Sequence, residues 1–234
     1  MKIDDKIWED IWSKELYPPI SETYVSTGFG TDEEPDSSVC FANHAGAMGN
    51  VFKEGVKILD YGCGLARFCN FVSKRLRNFT YYGVEKPGSD FLWGEKAIEY
   101  ANTHFGHDSR VHFGFTEQDV EKLAIDNVDV ALLLSIFTHT NIEETHRIMT
   151  KLMPIINRGG VIVFSVHLAN GYNLMTASGI EIGKAYGFYD SYNIVYNTQQ
   201  QINDIAKKFN ITIDIKDAFI TGGNLNLAVF QAYK

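Results

Sequence analysis

The stretch Val56-Lys57-Ile58-Leu59-Asp60-Tyr61-Gly62-Cys63-Gly64-Leu65-Ala66-Arg67-Phe68 passes from an apolar, branched segment to an aspartate, through two glycines and on into a helical pattern. A strand, a glycine turn and a helix start in that order form a corner suited to a nucleotide-type ligand. Gly62 and Gly64 carry no side chain, so the backbone can turn tightly and stay open to close approach. The free N–H groups of the new helix point into the same corner. Charge then separates the possible ligands. Asp60, at the carboxyl end of the strand, repels a pyrophosphate but suits an ammonium or sulfonium group. The dinucleotide fingerprint also needs a third glycine three residues past the second, where this chain has Arg67. A nicotinamide-dependent oxidoreductase is therefore the weaker alternative.

Downstream, Phe79-Thr80-Tyr81-Tyr82-Gly83-Val84-Glu85 reads as a second strand of aromatic and branched residues ending in a carboxylate. Glu85 is placed to accept from ribose hydroxyls. Taken together, DYGCGLAR (60–67), YYGVEKP (81–87), VDVALLLSIFTHT (128–140) and LMPIINRGGVIVFSVH (152–167) resemble, in order, motifs of the class I S-adenosylmethionine-dependent methyltransferases. The resemblance implies a Rossmann-like α/β fold: a mostly parallel seven-stranded sheet with helices on both faces and an antiparallel final strand. It implies S-adenosyl-L-methionine as cofactor, bound by Asp60, Gly62, Gly64, Glu85, Phe115, Thr116 and Ser135, with Phe91 packing near the adenine. One departure is Ala66, where the family often has a third glycine.

Composition sets limits that agree. The chain of 234 residues, 45% hydrophobic, can bury one full α/β core. Cys40, Cys63 and Cys69 are odd in number and lack metal-ligand spacing, so free thiols in a reducing compartment are expected. No window is apolar for long enough to span a bilayer, and MKIDDKIWED lacks the regions of a signal peptide, so a cytoplasmic protein is expected. A formal net charge of -8 without a basic tract disfavours nucleic acid as a partner.

Three zones organise the chain. Residues 1–55 open with a helical stripe, Ile7, Trp8, Ile11, Trp12 and Leu16, followed by the polar loop TGFGTDEEPDSS (27–38). Residues 17–48 form a candidate lid over the cofactor; a packing helix followed by a solvent loop is the equal alternative. Residues 56–234 form the methyltransferase-like domain. Within it, helices are expected over 65–77, 89–103, 142–153 and 199–209, the last capped by Thr198. Strands are expected over 111–115, 128–134, 161–166, 211–215 and 225–233. Short crossovers of this kind put every strand's carboxyl end on one rim, which gathers Asp60, Glu85, Phe115 and residues 135–139. Residues 168–197, rich in tyrosine, are a candidate substrate-capping insertion, with a small structural hairpin as the other reading.

Methyl transfer from a sulfonium is an in-line displacement, for which orientation alone can supply about 7–11 kcal/mol. A neutral acceptor must also lose a proton. His139, past the end of the fourth strand, is the leading candidate base, and His167, at the end of the fifth, the second; the competing reading of His139 is a helix-start residue bonded to backbone. Absent motifs narrow the acceptor. The loop after the fourth strand lacks the Asn/Asp-Pro-Pro-aromatic signature of base-amino methyltransferases and the aspartates of the magnesium-dependent catechol type, so no metal is expected. The resulting expectation is methyl transfer to a small-molecule hydroxyl, amine or sugar group. A catalytically inactive S-adenosylmethionine-binding or regulatory protein is the alternative.

Overall fold

The run quoted first is a strand: in a computed structural model of the protein, β1 spans Val56–Tyr61 and all but one of its side chains are buried. The structure describes residues 51–64, 66–87, 93–116, 120, 125–134, 136–137, 140–168, 196–221 and 225–234. The stripe at 4–16, the candidate lid, Phe91, Ser135, His139 and most of the tyrosine-rich segment lie outside them. The chain clusters into two compact units, Met1–Val56 with Cys63–Leu123, and Lys57–Gly62 with Ala124–Lys234.

In the first unit, β2 (Phe79–Glu85) and β3 (Val111–Phe115) pair in parallel, with Tyr81 opposite Val111 and Glu85 opposite Phe115. Helices α1 (Arg67–Ser73) and α2 (Trp93–Phe105) belong to the same unit. α1 is shorter than the periodicity predicts. Ala66 takes a left-handed conformation (φ 57°) at its start, and at its end the N–H groups of Arg75 and Leu76 both turn back to Val72 O. An alanine at positive φ costs about 1–2 kcal/mol, which its complete burial helps to hold in place. Arg110 secures the amino-terminal ends of the strands. It forks onto Asp108 (2.9 and 2.6 Å), donates to Arg77 O (2.7 Å), and lies 4.4 Å from the centre of the Phe79 ring. Its hydrogen bonds hold the Asp108 carboxyl down at about 2.

The second unit carries β1, β4 (Val128–Leu133), β5 (Ile156–Leu168), β8 (Leu225–Tyr233) and β7 (Thr212–Thr221), hydrogen-bonded in that order, with the two-residue β6 (Tyr196–Asn197) beside β5. β1, β4 and β5 are parallel, and β8 is antiparallel to both β5 and β7. The mostly parallel α/β character thus stands, and the strand count is corrected. Strands β1 to β5 have parallel neighbours, and eight strands are described rather than seven. β4 is buried except at Asp129, as a strand covered on both faces must be. Val130, Leu132, Ile162 and Phe164 are at most 1% exposed, and Phe137, just past β4, sets its ring 5.3 Å from that of Phe164.

Both helices of this unit start as their sequences predict. Asn141 caps α3 (Ile142–Leu152) by accepting from Glu144 N, and α3 buries Thr145, Ile148, Met149 and Leu152. Thr198 caps α4 (Gln199–Phe209) in a reciprocal box, accepting from Gln201 N while Gln201 Oε1 accepts from Thr198 N. The two helices meet at His146, whose ring lies edge-on to Phe209 at 6.0 Å. Its Nε2 is buried with no hydrogen-bond partner among the described residues. Burial pulls the His146 pKa below 6.5; the charge of Lys208 acts the same way and that of Asp204 opposes it. The folded state therefore binds this proton less readily than the unfolded chain. The contribution is fully present above the unfolded pKa and is lost as pH falls through the histidine range to the lower folded value. The urea midpoint of the wild type should drop between pH 8 and pH 5.5 by more than that of His146→Leu, whose side chain packs on Phe209 without titrating. Equal drops would remove His146 as the cause.

Candidate functional site

The chain leaves β1 through Gly62 at φ 80° and Gly64 at φ 51°, both left-handed, which is the conformational demand that made glycine informative there. In the first unit this loop is fastened to the end of β2. Cys63 N donates to Val84 O (3.1 Å), and Gly64 N donates to Glu85 Oε2 (2.8 Å). Glu85 Oε1 accepts from Lys86 N (2.9 Å), and Glu85 O accepts from Thr116 N (3.0 Å). Gly64, Glu85, Phe115 and Thr116, four of the residues expected to bind a cofactor, are thereby brought together. Among the described residues each carboxylate oxygen of Glu85 accepts one backbone hydrogen bond, which leaves lone-pair capacity for a further donor.

Burial raises the Glu85 pKa above the usual carboxylate value, against the lowering effect of the hydrogen bonds from Gly64 and Lys86. A ligand donor supplied at the free lone pairs would favour the ionised form and bring that pKa back down. Among the described residues, a Cβ added to Gly64 would meet nothing within 4 Å beyond its chain neighbours. Phe115 is half-buried at the end of β3, and Thr116 is buried beside it. An acceptor carboxylate, an aromatic edge and a glycine backbone fit a nucleoside: hydroxyls for the first, a base for the second, close approach for the third.

In the second unit, Asp60 lies opposite Leu132 on β4 and is only 6% exposed. A buried anion at a strand end is a natural partner for a ligand cation. A Cβ on Gly62 would overlap Cδ1 of Ile136, which covers the glycine from the loop after β4. Ile136 is a residue that sequence reasoning passed over. An apolar side chain in a polar-looking loop signals nothing until the Asp60–Leu132 register shows which turn it faces. His167 stands near the end of β5, its backbone opposite Tyr196 and Leu227. Ser135 and His139 lie outside the described residues. Among the described residues there is no group of three or more His, Cys, Asp or Glu side chains able to hold a metal ion, and no helix long and apolar enough to cross a membrane.

No protein-family model matches the chain, and no curated protein is similar to it. Solved structures are similar in fold. Magnesium protoporphyrin IX methyltransferase from Synechocystis PCC 6803, crystallised with S-adenosylhomocysteine, superposes with a TM-score of 0.63 at 16% identity, over 99% of this chain and 100% of that one. An O-methyltransferase family protein from Burkholderia thailandensis gives 0.62 at 12% identity, over 98% and 70%. A S-adenosylmethionine-dependent methyltransferase from Methanosarcina mazei gives 0.56 at 16% identity, over 80% and 96%. The fold is that of the class I S-adenosylmethionine-dependent methyltransferases.

Proposed function

We propose that this protein transfers the methyl group of S-adenosylmethionine to the hydroxyl, amine or sugar group of a small molecule. The observation that carries the reading is the Gly64–Glu85 hydrogen bond, which fixes a carboxylate at the end of β2 beside the glycine loop. S-adenosylmethionine supplies an activated methyl on a sulfonium, so the chain needs no nucleophile of its own. Glu85 accepts from the ribose hydroxyls, Phe115 and Thr116 flank the adenine, and Asp60 faces the cationic part of the ligand. Ser135 completes the set of cofactor residues. His139 takes the acceptor's proton, with His167 as the second candidate for that role. The fold neighbours support the reaction type, and the magnesium protoporphyrin enzyme among them is named for a small-molecule acceptor.

The test has two stages. Calorimetry should give saturable binding of S-adenosylmethionine and S-adenosylhomocysteine in the micromolar range, about -8 kcal/mol. A screen of hydroxyl, amine and sugar acceptors, read as S-adenosylhomocysteine released, should then find turnover. Folded protein that binds neither ligand overturns the reading; binding without turnover on any acceptor leaves a binding protein.

Glu85→Ala should weaken S-adenosylmethionine binding by about 1–3 kcal/mol, because the ribose loses a charged acceptor and the Gly64 N–H loses its partner. Wild-type affinity should also decline on acidification at a higher pH than an ordinary glutamate would cause, since Glu85 protonates early. Titrations of both proteins across the acid range check the two effects together. An Ala variant with unchanged affinity would remove Glu85 from the site.

A further inference from the structure

Helix α2 begins against the chain that leaves β2, and Gly94 is where the two backbones meet. A Cβ placed on Gly94 would overlap the carbonyl oxygen of Lys86, and would lie 2.9 Å from Lys86 C and 3.1 Å from Pro87 Cα. All three are backbone atoms, so no side chain can swing aside to make room. Neither partner is free to retreat. Gly94 is buried, and Ala97, Ile98 and Ala101, which follow it at helical spacing, are buried too and hold α2 down on β2 and β3. On the other side, Lys86 precedes a proline, which restricts it to extended backbone. Its N–H donates to Glu85 Oε1 at 2.9 Å.

That bond is one of two that fix the carboxylate, the other coming from Gly64 N at 2.8 Å. With the Lys86 peptide pushed aside, the side chain would turn about the single bond to Gly64, and a hydroxyl-accepting group loses its worth when its direction is lost. Resting on the proposed methyl-transfer reading, we infer that Gly94 is a positioning residue for Glu85: having no side chain, it lets α2 seat against the Lys86–Pro87 peptide, and that seat holds the Lys86 N–H on the carboxylate. Gly94 touches no ligand in this role. Gly64, Glu85, Lys86, Pro87 and Gly94 all belong to the first unit, so the coupling runs inside one body. It also carries an electrostatic sign. The Lys86 bond lowers the Glu85 pKa against the effect of burial, so without that bond the carboxyl takes up its proton at a higher pH.

The experiment is a double-mutant cycle: S-adenosylhomocysteine affinity by calorimetry across the acid range for wild type, Gly94→Ala, Glu85→Ala and the double variant, with circular dichroism to verify folding. Gly94→Ala should lose about tenfold in affinity on its own, the worth of one misplaced hydrogen bond to a charged group. In the Glu85→Ala background the same substitution should cost less than about twofold, because nothing is left to misplace. The decline of affinity on acidification should begin at a higher pH in Gly94→Ala than in wild type, a change that general loosening does not produce. Equal losses in both backgrounds, no loss in either, or an unmoved acid limb each overturn the inference while the methyltransferase reading stands. If Gly94→Ala does not fold, Gly94→Ala with Pro87→Ala, which frees the Lys86 peptide to turn aside, is compared with Pro87→Ala alone. Equal affinity in that pair, or a second failure to fold, overturns the inference as well. A folded wild type that binds no S-adenosylhomocysteine overturns the methyltransferase reading and the inference with it.

Discussion

A Gly62→Val variant is expected to lose S-adenosylmethionine binding altogether while keeping its fold. Two independent causes act at the same atom. The φ of 80° is one that a β-branched residue adopts only under strain, costing at least about 1–2 kcal/mol. The added Cβ would also overlap Ile136 Cδ1, and Phe137 leaves the loop after β4 little room to retreat. The turn must shift, and the shift moves Cys63 and Gly64, whose N–H groups are tied to Val84 and Glu85. Calorimetry on protein with a wild-type circular dichroism spectrum checks the loss. Combining Gly62→Val with Ile136→Ala removes the overlap but not the strain, so binding should stay well below wild type. Wild-type affinity in the single variant would mean the ligand does not use this loop.

His139→Ala should lower turnover by about 10²- to 10⁴-fold while leaving S-adenosylmethionine affinity nearly unchanged, the pattern of a lost general base. The basis is its place in Ser135-Ile136-Phe137-Thr138-His139-Thr140, at the carboxyl end of a central strand where open α/β sheets carry out their chemistry. A base must be unprotonated to act, which adds a second signature. Wild-type activity should fall on acidification as the base takes up a proton, and the residual activity of the variant should not. Loss of affinity together with turnover would mark the residue as structural. Full activity would leave orientation as the source of catalysis and move the proton to His167 or the solvent.

What was legible in the sequence is what local chemistry dictates. The glycines declared their positive φ values, β2 and β3 ended where their aromatic and branched runs end, and α4 runs from Gln199, capped by Thr198, to Phe209 because a capping box and an apolar period mark it. What was not legible depends on partners far along the chain. Asn157-Arg158-Gly159-Gly160 reads as a loop, yet it is part of β5, because Gly159 N donates to Lys234 O and Lys234 N donates to Gly160 O. The Lys234 ammonium adds bonds to Met153 O and Ile156 O at 2.7 Å. β7 likewise runs to Thr221, well past its apolar start, because β8 is there to pair with it. Glu85, Phe115 and Thr116, expected to bind a cofactor, could be placed from the sequence because each sits at or just past a strand end. The contact of Ile136 with Gly62 could not be placed that way, since it arises only from register. The candidate lid, the tyrosine-rich insertion, Ser135 and His139 lie outside the described residues, and their roles remain sequence arguments.

The position of β8 has a consequence for how the sheet is completed. It lies between β5 and β7, both of which precede it in the chain. Without residues 225–233, β5 carries a row of unsatisfied backbone groups and β7 has no partner in the sheet, so both depend on one segment. Sheet completion is thus a non-local step that needs β5, β7 and β8 together, and a chain in which β8 is displaced offers the bared β5 edge for association with its own copies.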